Sequence, residues 1–298
     1  MEWYDLVHVY RTRRQAICLD AALGHTEGSP AGRGLLRRRL RFDEESEMLV
    51  ADARPKLVGQ MRYAPGSPAA RLTFVLPAET AGSAEMTALF EALAAAAGLR
   101  GALRLLAEVD ELSPAFESLR RAGFSVYAWQ RICAFGGARV RTTGSAWRTL
   151  TSQDIIAVRG LYQALVPPLA QAAEAFTPRP GHGLVYHQGG DLMAYVSVTS
   201  GPEGVYLLPL IHPAVERVNL LLGDLLQQPR FSGRPRFLSM RSYQAWLEPA
   251  LCEFESDVMP RQALLVKHLI AKLRQPLPSA QAVLEQNWTR TVHTIKQG

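Results

Sequence analysis

The residues best suited to chemistry gather at two turns. The first is Glu79-Thr80-Ala81-Gly82-Ser83-Ala84, which follows the apolar run Leu72 to Leu76 and a stop at Pro77. It precedes Met86, Leu89, Phe90 and Leu93, which share one helical face at spacings of three and four. A strand that feeds a Gly/Ala/Ser turn at a helix N-terminus can hold phosphate on its backbone N–H groups. Glu79 opposes that use, because a carboxylate beside a pyrophosphate costs on the order of 1 kcal/mol at a surface. The second turn is Ile211-His212-Pro213-Ala214-Val215-Glu216-Arg217, again an apolar run stopped at X-Pro. His212 is of a type that acts as a base near neutral pH, and Arg217 could answer an anion. The absence of glycine there keeps a phosphate away from the backbone.

Other chemistries find less support. The sequence holds no G-x-S-x-G elbow, H-E-x-x-H, Walker loop or complete G-x-G-x-x-G. Cys18, Cys133 and Cys252 lie far apart, and His182 and His187 are too sparse for a metal set, so none is expected. The run Gly32 to Arg41 is rich in arginine, and the net charge is +6. Without interleaved aromatics it reads as a solvated amphipathic helix, and nucleic acid is not an expected partner. No stretch nears the ~20 apolar residues of a membrane span, and the N-terminus lacks a signal-peptide pattern, so a cytoplasmic location and no membrane partner are expected.

The elements that must position these residues follow from periodicity. Asp5 to Arg11 reads as a strand and Gln15 to Leu23 as a short helix. Glu47 to Arg54, Lys56 to Tyr63 and Leu72 to Leu76 read as three antiparallel strands, followed by a helix from about Ala84 to Ala97. Leu103 to Val109 is a strand, and Ser113-Pro114 opens a helix that ends at Gly123. Phe124 to Phe135 closes this half. The second half repeats the plan: strand Trp147 to Asp154, helix Ile155 to Leu165, a hairpin of Leu184–Gln188 and Leu192–Thr199, and strand Val205 to Ile211. A helix carrying Val215, Val218, Leu222 and Leu226 follows, then strand Arg236 to Met240, helix Tyr243 to Phe254 and the apolar run Ala263 to Ile270. This repetition implies a tandem: domains 1–138 and 147–274, and a tail 275–298.

This order, together with Ser113-Pro114-Ala115-Phe116-Glu117-Ser118-Leu119-Arg120-Arg121-Ala122-Gly123-Phe124, resembles the GNAT acyltransferases. The resemblance implies an α+β fold, a mixed and mainly antiparallel sheet with flanking helices, in two GNAT-like domains. It implies acetyl-CoA or another acyl-CoA as co-substrate and an amine as acceptor. In that family a splayed fourth strand offers N–H groups to the acyl carbonyl, and the turn after it wraps the pyrophosphate. Carried onto this sequence, coenzyme contacts fall on Val75, Leu76, Ala81, Gly82, Ser83 and Ala84, with Ile211 and Arg217 in the second half. Leu119 stands where a tyrosine commonly protonates the thiolate. Tyr127, Tyr243 and His212 are the candidates for proton transfer, with Glu248 behind them. The alternative is a catalytically inactive tandem that binds a ligand or a protein.

Overall fold

Strands Ala69–Leu76 and Arg104–Asp110 are buried along almost their whole length, and Gln262–His268 through its middle residues Ala263 to Val266, instead of on alternate residues. Strands of that kind lie in the middle of a sheet covered on both faces. The computed structural model describes residues 13–28, 45–51, 54–63, 67–136 and 146–269, and it places them in one sheet of thirteen strands. The expected strand 5–11, the basic run 32–41 and the tail lie outside the described residues.

The first half contributes β1 (Ile17–Cys18), α1 (Ala21–Glu27), β2 (Glu45–Ala51), β3 (Leu57–Tyr63), β4 (Ala69–Leu76), α2 (Ala84–Leu99), β5 (Arg104–Asp110), α3 (Pro114–Arg121) and β6 (Ser125–Phe135). The second contributes β7 (Arg148–Thr149), α4 (Ile155–Leu165), α5 (Pro168–Ala173), β8 (Gly183–Gln188), β9 (Asp191–Ser200) and β10 (Val205–Ile211). It continues with α6 (Val218–Leu226), β11 (Arg236–Arg241), α7 (Glu248–Leu251), β12 (Asp257–Val258) and β13 (Gln262–His268). The sheet runs β2-β3-β4-β5-β13-β6-β11-β10-β9-β8-β7.

That order shows an exchange. The last strand of each half pairs with the other half's strand: β13 lies antiparallel on β5, and β6 lies antiparallel on β11. The two then pair with each other at the centre, Ala263 opposite Trp129 and Leu264 opposite Ala128. Separate cores sit under α2 and α3 and under α6 and α7. A third core, with Leu106, Tyr127, Leu264, Val158 and Leu210, joins the halves under α4 and α5.

Two expected helices are corrected. Gln15 to Leu23 is not one helix: Ile17 and Cys18 pair with Val75 and Phe74, and α1 starts later because Asp20 caps it, accepting from Leu23 N–H. Tyr243 to Phe254 is a 3₁₀ segment, Ser242–Leu247, and then a single turn of α-helix. Gln244 breaks it with φ −116° and ψ 19°, and Pro249 restarts it at a first helical position.

Candidate functional site

A parallel pair that parts midway leaves backbone groups exposed along both strands. Here β4 pairs with β5 only through Ala69–Arg71, and β10 pairs with β11 only through Val205–Leu207. Beyond those points each pair splays. In the first half the chain itself fills the gap. Leu19 N–H donates to Thr73 C=O, Glu108 N–H donates to Leu19 C=O, and Ala21 N–H donates to the Glu108 carboxylate at 3.0 Å. Leu19, with Ile17 and Cys18 ahead of it, thus bridges β4 to β5.

In the second half the gap is narrowed by two residues. Val205 N–H donates to Pro235 C=O and Ile211 N–H to Gln244 Oε1, so alternate residues of β10 turn their N–H toward β11. Pro209 falls on that alternation and has no N–H to offer. Gln244, 2% exposed, closes the pattern by donating its Nε2 to Ile211 C=O.

Between the halves lies a cluster of buried charge. Arg71 reaches Glu108 at 3.1 Å and Glu174 at 3.7 Å; Arg241 reaches Glu174 at 3.3 Å and Glu108 at 4.0 Å. Each half supplies one arginine and one glutamate. Tyr127 donates its hydroxyl to Glu174, and Gln130 donates to Glu108. Burial alone would raise the Glu174 carboxyl, but Arg241 and Arg71 overcome it and hold it below its usual range. Glu174 is therefore ionised and weakly basic. Burial, with Glu174 nearby, pushes Tyr127 well up; burial also pushes Tyr243 up to about 12. Both phenols keep their protons at neutral pH.

A cavity of about 240 Å³ opens on this cluster and reaches β10 at Leu208, Pro209 and Leu210. Tyr162 and Phe176 stack on one another there at 4.1 Å, and Tyr195 meets Phe176 edge-on at 5.8 Å. Arg71, Glu174 and Tyr243 also line it.

The residues singled out in the sequence are distributed as follows. Tyr127 and Tyr243 meet at the charge cluster, with Arg241 and Glu174 acting on both. His212 sits past the end of β10, its Nδ1 accepting from Ala214 N–H, and Arg217 is the exposed residue preceding α6. Glu248 pairs with Arg131 at 2.6 Å. Val75 is paired by β1, Leu76 is buried, and Ala81 is fully buried with its carbonyl accepting from Ser118. Ser83 caps α2, and Glu85 is held below its usual range by its own backbone N–H and by Ser83. Gly82 and Ala84 are exposed on the same turn. Arg71, Glu108, Glu174, Arg241 and Gln244 were not foreseen; for Arg71, Glu108 and Arg241 the signal was charge inside otherwise apolar strands, and Glu174 and Gln244 lie outside strands.

Acyl-CoA fits these groups poorly. Its thioester carbonyl and pantetheine amides need the open edge of a splayed strand, and both edges are bonded within the chain or lack the donor. The first turn of α2 has part of its N–H set on Ser83 and Glu85, the turn before α6 donates Ala214 N–H to His212, and the first turn of α6 donates Leu220 N–H to Asn219. No metal-binding group occurs among the described residues.

The charge cluster and its neighbour Asp20 set an acid limit. Burial raises Asp20, but Arg62 and Arg71 win and lower it. Both Asp20 and Glu174 thus contribute stability that is complete above their unfolded values, 3.8 and 4.5, and is lost as pH falls through their lower folded values. The urea midpoint is expected to be level from neutrality to pH about 5 and to drop steeply below about 4. A midpoint that holds flat through that range would refute the assignment.

No protein-family model matches this sequence, and no curated protein matches it. Solved structures do. A GCN5-related N-acetyltransferase from Sphaerobacter thermophilus is 14% identical at a TM-score of 0.56, over 88% of this chain and 93% of that one. An acetyltransferase of the GNAT family from Colwellia psychrerythraea is 13% identical at 0.45, over 90% and 97%. A tandem GNAT protein from the clavulanic acid biosynthesis pathway is 15% identical at 0.42, over 76% and 84%. The last two scores are below 0.5, and the likeness of fold stands on the first. With its mixed, mainly antiparallel sheet, its flanking helices and its two splayed strand pairs, this chain has a GNAT-like α+β fold.

Proposed function

We propose that this chain is a GNAT-fold ligand-binding protein whose coenzyme clefts are closed by its own residues, and whose working site is the cavity at the charge cluster. The observation that carries this is the bonding of the two splayed edges. Leu19 takes the place of a ligand between β4 and β5, and the Gln244 carboxamide makes with Ile211 the pair of bonds that a pantetheine amide would make. Glu174, held ionised by two arginines, is a poor base, which also favours binding over proton transfer. On this reading the units are 1–138 and 147–274 with the tail 275–298, each unit completed by a strand of the other. Cys18, Cys133 and Cys252 form no disulfide, which suits a cytoplasmic location.

The second reading is an N-acyltransferase that moves an acyl group from acetyl-CoA or another acyl-CoA to an amine, working through the second half. It is favoured by one feature: the cavity runs along Leu208 to Leu210 beside Tyr243, where an acceptor would meet a splayed strand. Titration with acetyl-CoA, followed by calorimetry and thermal melting, separates the two. The expected result is no heat and no shift at millimolar coenzyme. A ligand at a hundred times its dissociation constant stabilises by about 2.7 kcal/mol, so a saturable shift of that order would overturn the closed-cleft reading, and transfer of the acyl group to an amine in the same sample would establish the transferase. Such a shift would belong to the second half if it survives Gly82→Trp and to the first if it does not.

A further inference from the structure

The cavity opens on a cluster that already balances its own charge, two arginines against two carboxylates. Glu108 is fully engaged: Oε1 by Arg71, Oε2 by Ala21 N–H and by Gln130. Glu174 is engaged on one side only, since Tyr127, Arg241 and Arg71 all approach Oε1. Arg71 Nη2 stands 3.7 Å from that oxygen, beyond hydrogen-bond length, and Arg71 keeps 28% of its side chain exposed. Donors exceed acceptors nearby, because Nε and Nη1 of Arg241 are buried without a partner. A cation and an anion with spare capacity therefore stand side by side at the base of a cavity walled by stacked rings.

We propose that this cavity binds a small zwitterion, an α-amino acid with an apolar or aromatic side chain, its carboxylate on Arg71, its ammonium on Glu174 and its side chain against Tyr162, Phe176 and Tyr195. Charge balance selects this class. A singly charged ligand would leave an uncompensated charge in a partly buried, ring-lined space, whereas a zwitterion keeps the sum at zero. The guanidinium donates to a carboxylate in a planar, bidentate manner, and the rings add contact beyond area alone. Size agrees, because 240 Å³ is under the roughly 300–1,000 Å³ of sites for drug-sized ligands.

The proposal rests on the reading that this cavity is the working site, but not on the closure of the coenzyme clefts. The test is calorimetry on the full chain with L-phenylalanine, with phenethylamine, which lacks the carboxylate, and with 3-phenylpropionate, which lacks the ammonium. L-phenylalanine is expected to bind at least about ten-fold tighter than either, a difference of about 1.4 kcal/mol. Phe176→Ala, which leaves all four charges in place, is expected to weaken it by a similar factor. Equal affinity for the amine or the acid overturns the proposal, as does the absence of heat from all three at millimolar concentration. The comparison of ligands on the unaltered protein stands even if the variant does not fold. Acetyl-CoA titrated into the same samples keeps the failures apart: coenzyme binding would sink the closed-cleft reading and leave the amino-acid result untouched.

Discussion

Replacing Arg241 with methionine is expected to lower the unfolding free energy by about 3–5 kcal/mol, the usual cost of removing one partner from a buried ion pair. Arg241 is 4% exposed, at the end of β11, and stands 3.3 Å from Glu174. Without it, Glu174 keeps the Tyr127 hydroxyl and an arginine at 3.7 Å, and its burial is no longer repaid. The double variant Arg241→Met with Glu174→Gln should recover part of the loss, because the second change removes the stranded charge. Urea denaturation of the three proteins reads this directly. A loss under about 1 kcal/mol in the single variant would mean that water reaches the cluster and screens it as it would a surface pair. The position of the cluster raises the stakes: Arg71 and Glu108 come from one half, Glu174 and Arg241 from the other, so the cluster that presents Arg71 and Glu174 to the cavity also sets how the halves meet.

Much of the local structure was legible. Val205–Ile211 and Ile155–Leu165 have the bounds their patterns imply, since an apolar run ended by a residue before proline stops a strand, and spacings of three and four form a helix. Ser113 with Pro114 likewise marks α3. Where the pattern misled, tertiary pairing overrode it. Ile17, Leu19, Ala22 and Leu23 have helical spacing, yet the first two are held extended by hydrogen-bonded pairing with a strand more than fifty residues away. The site was legible only in fragments. Tyr127 and Tyr243 lie at it, but their relevance depends on Glu174 and Arg241, and no local spacing links residues that meet only after two halves have exchanged strands. Gln244 is polar in an apolar segment, which marks it as odd without saying that Ile211 is its partner. Arg71 and Glu108 were visible as charges in strands buried on both faces; a demand for partners followed, but not their identity.

The strand exchange leads to the largest expected effect. A chain ended at Pro260 should give no cooperatively folded protein, although it loses only the end of the second half and the tail 275–298. Its missing strand, β13, belongs structurally to the first: it pairs with β5 from Gln262 to His268 and with β6 from Gln262 to Val266. Ala263, Leu264 and Leu265 are fully buried and Val266 is 3% exposed. The two leucines and the valine alone are worth about 5–9 kcal/mol at 1.5–3 kcal/mol each, a large part of the roughly 5–15 kcal/mol that holds a domain folded. The deletion also leaves β5 and β6 with facing unpaired edges in the middle of the sheet, which promotes aggregation. Circular dichroism and a thermal melt of the truncated chain measure the outcome. If the two halves were independent, the first would melt as before and only the second would suffer. If the exchange holds, both transitions vanish together, and a synthetic peptide spanning 257–269 added in trans should restore them, because it supplies the pairing partner for β5 and β6 at once. A truncated chain that keeps a sharp melt at the original temperature would show that β13 is dispensable and that the first half closes its own sheet.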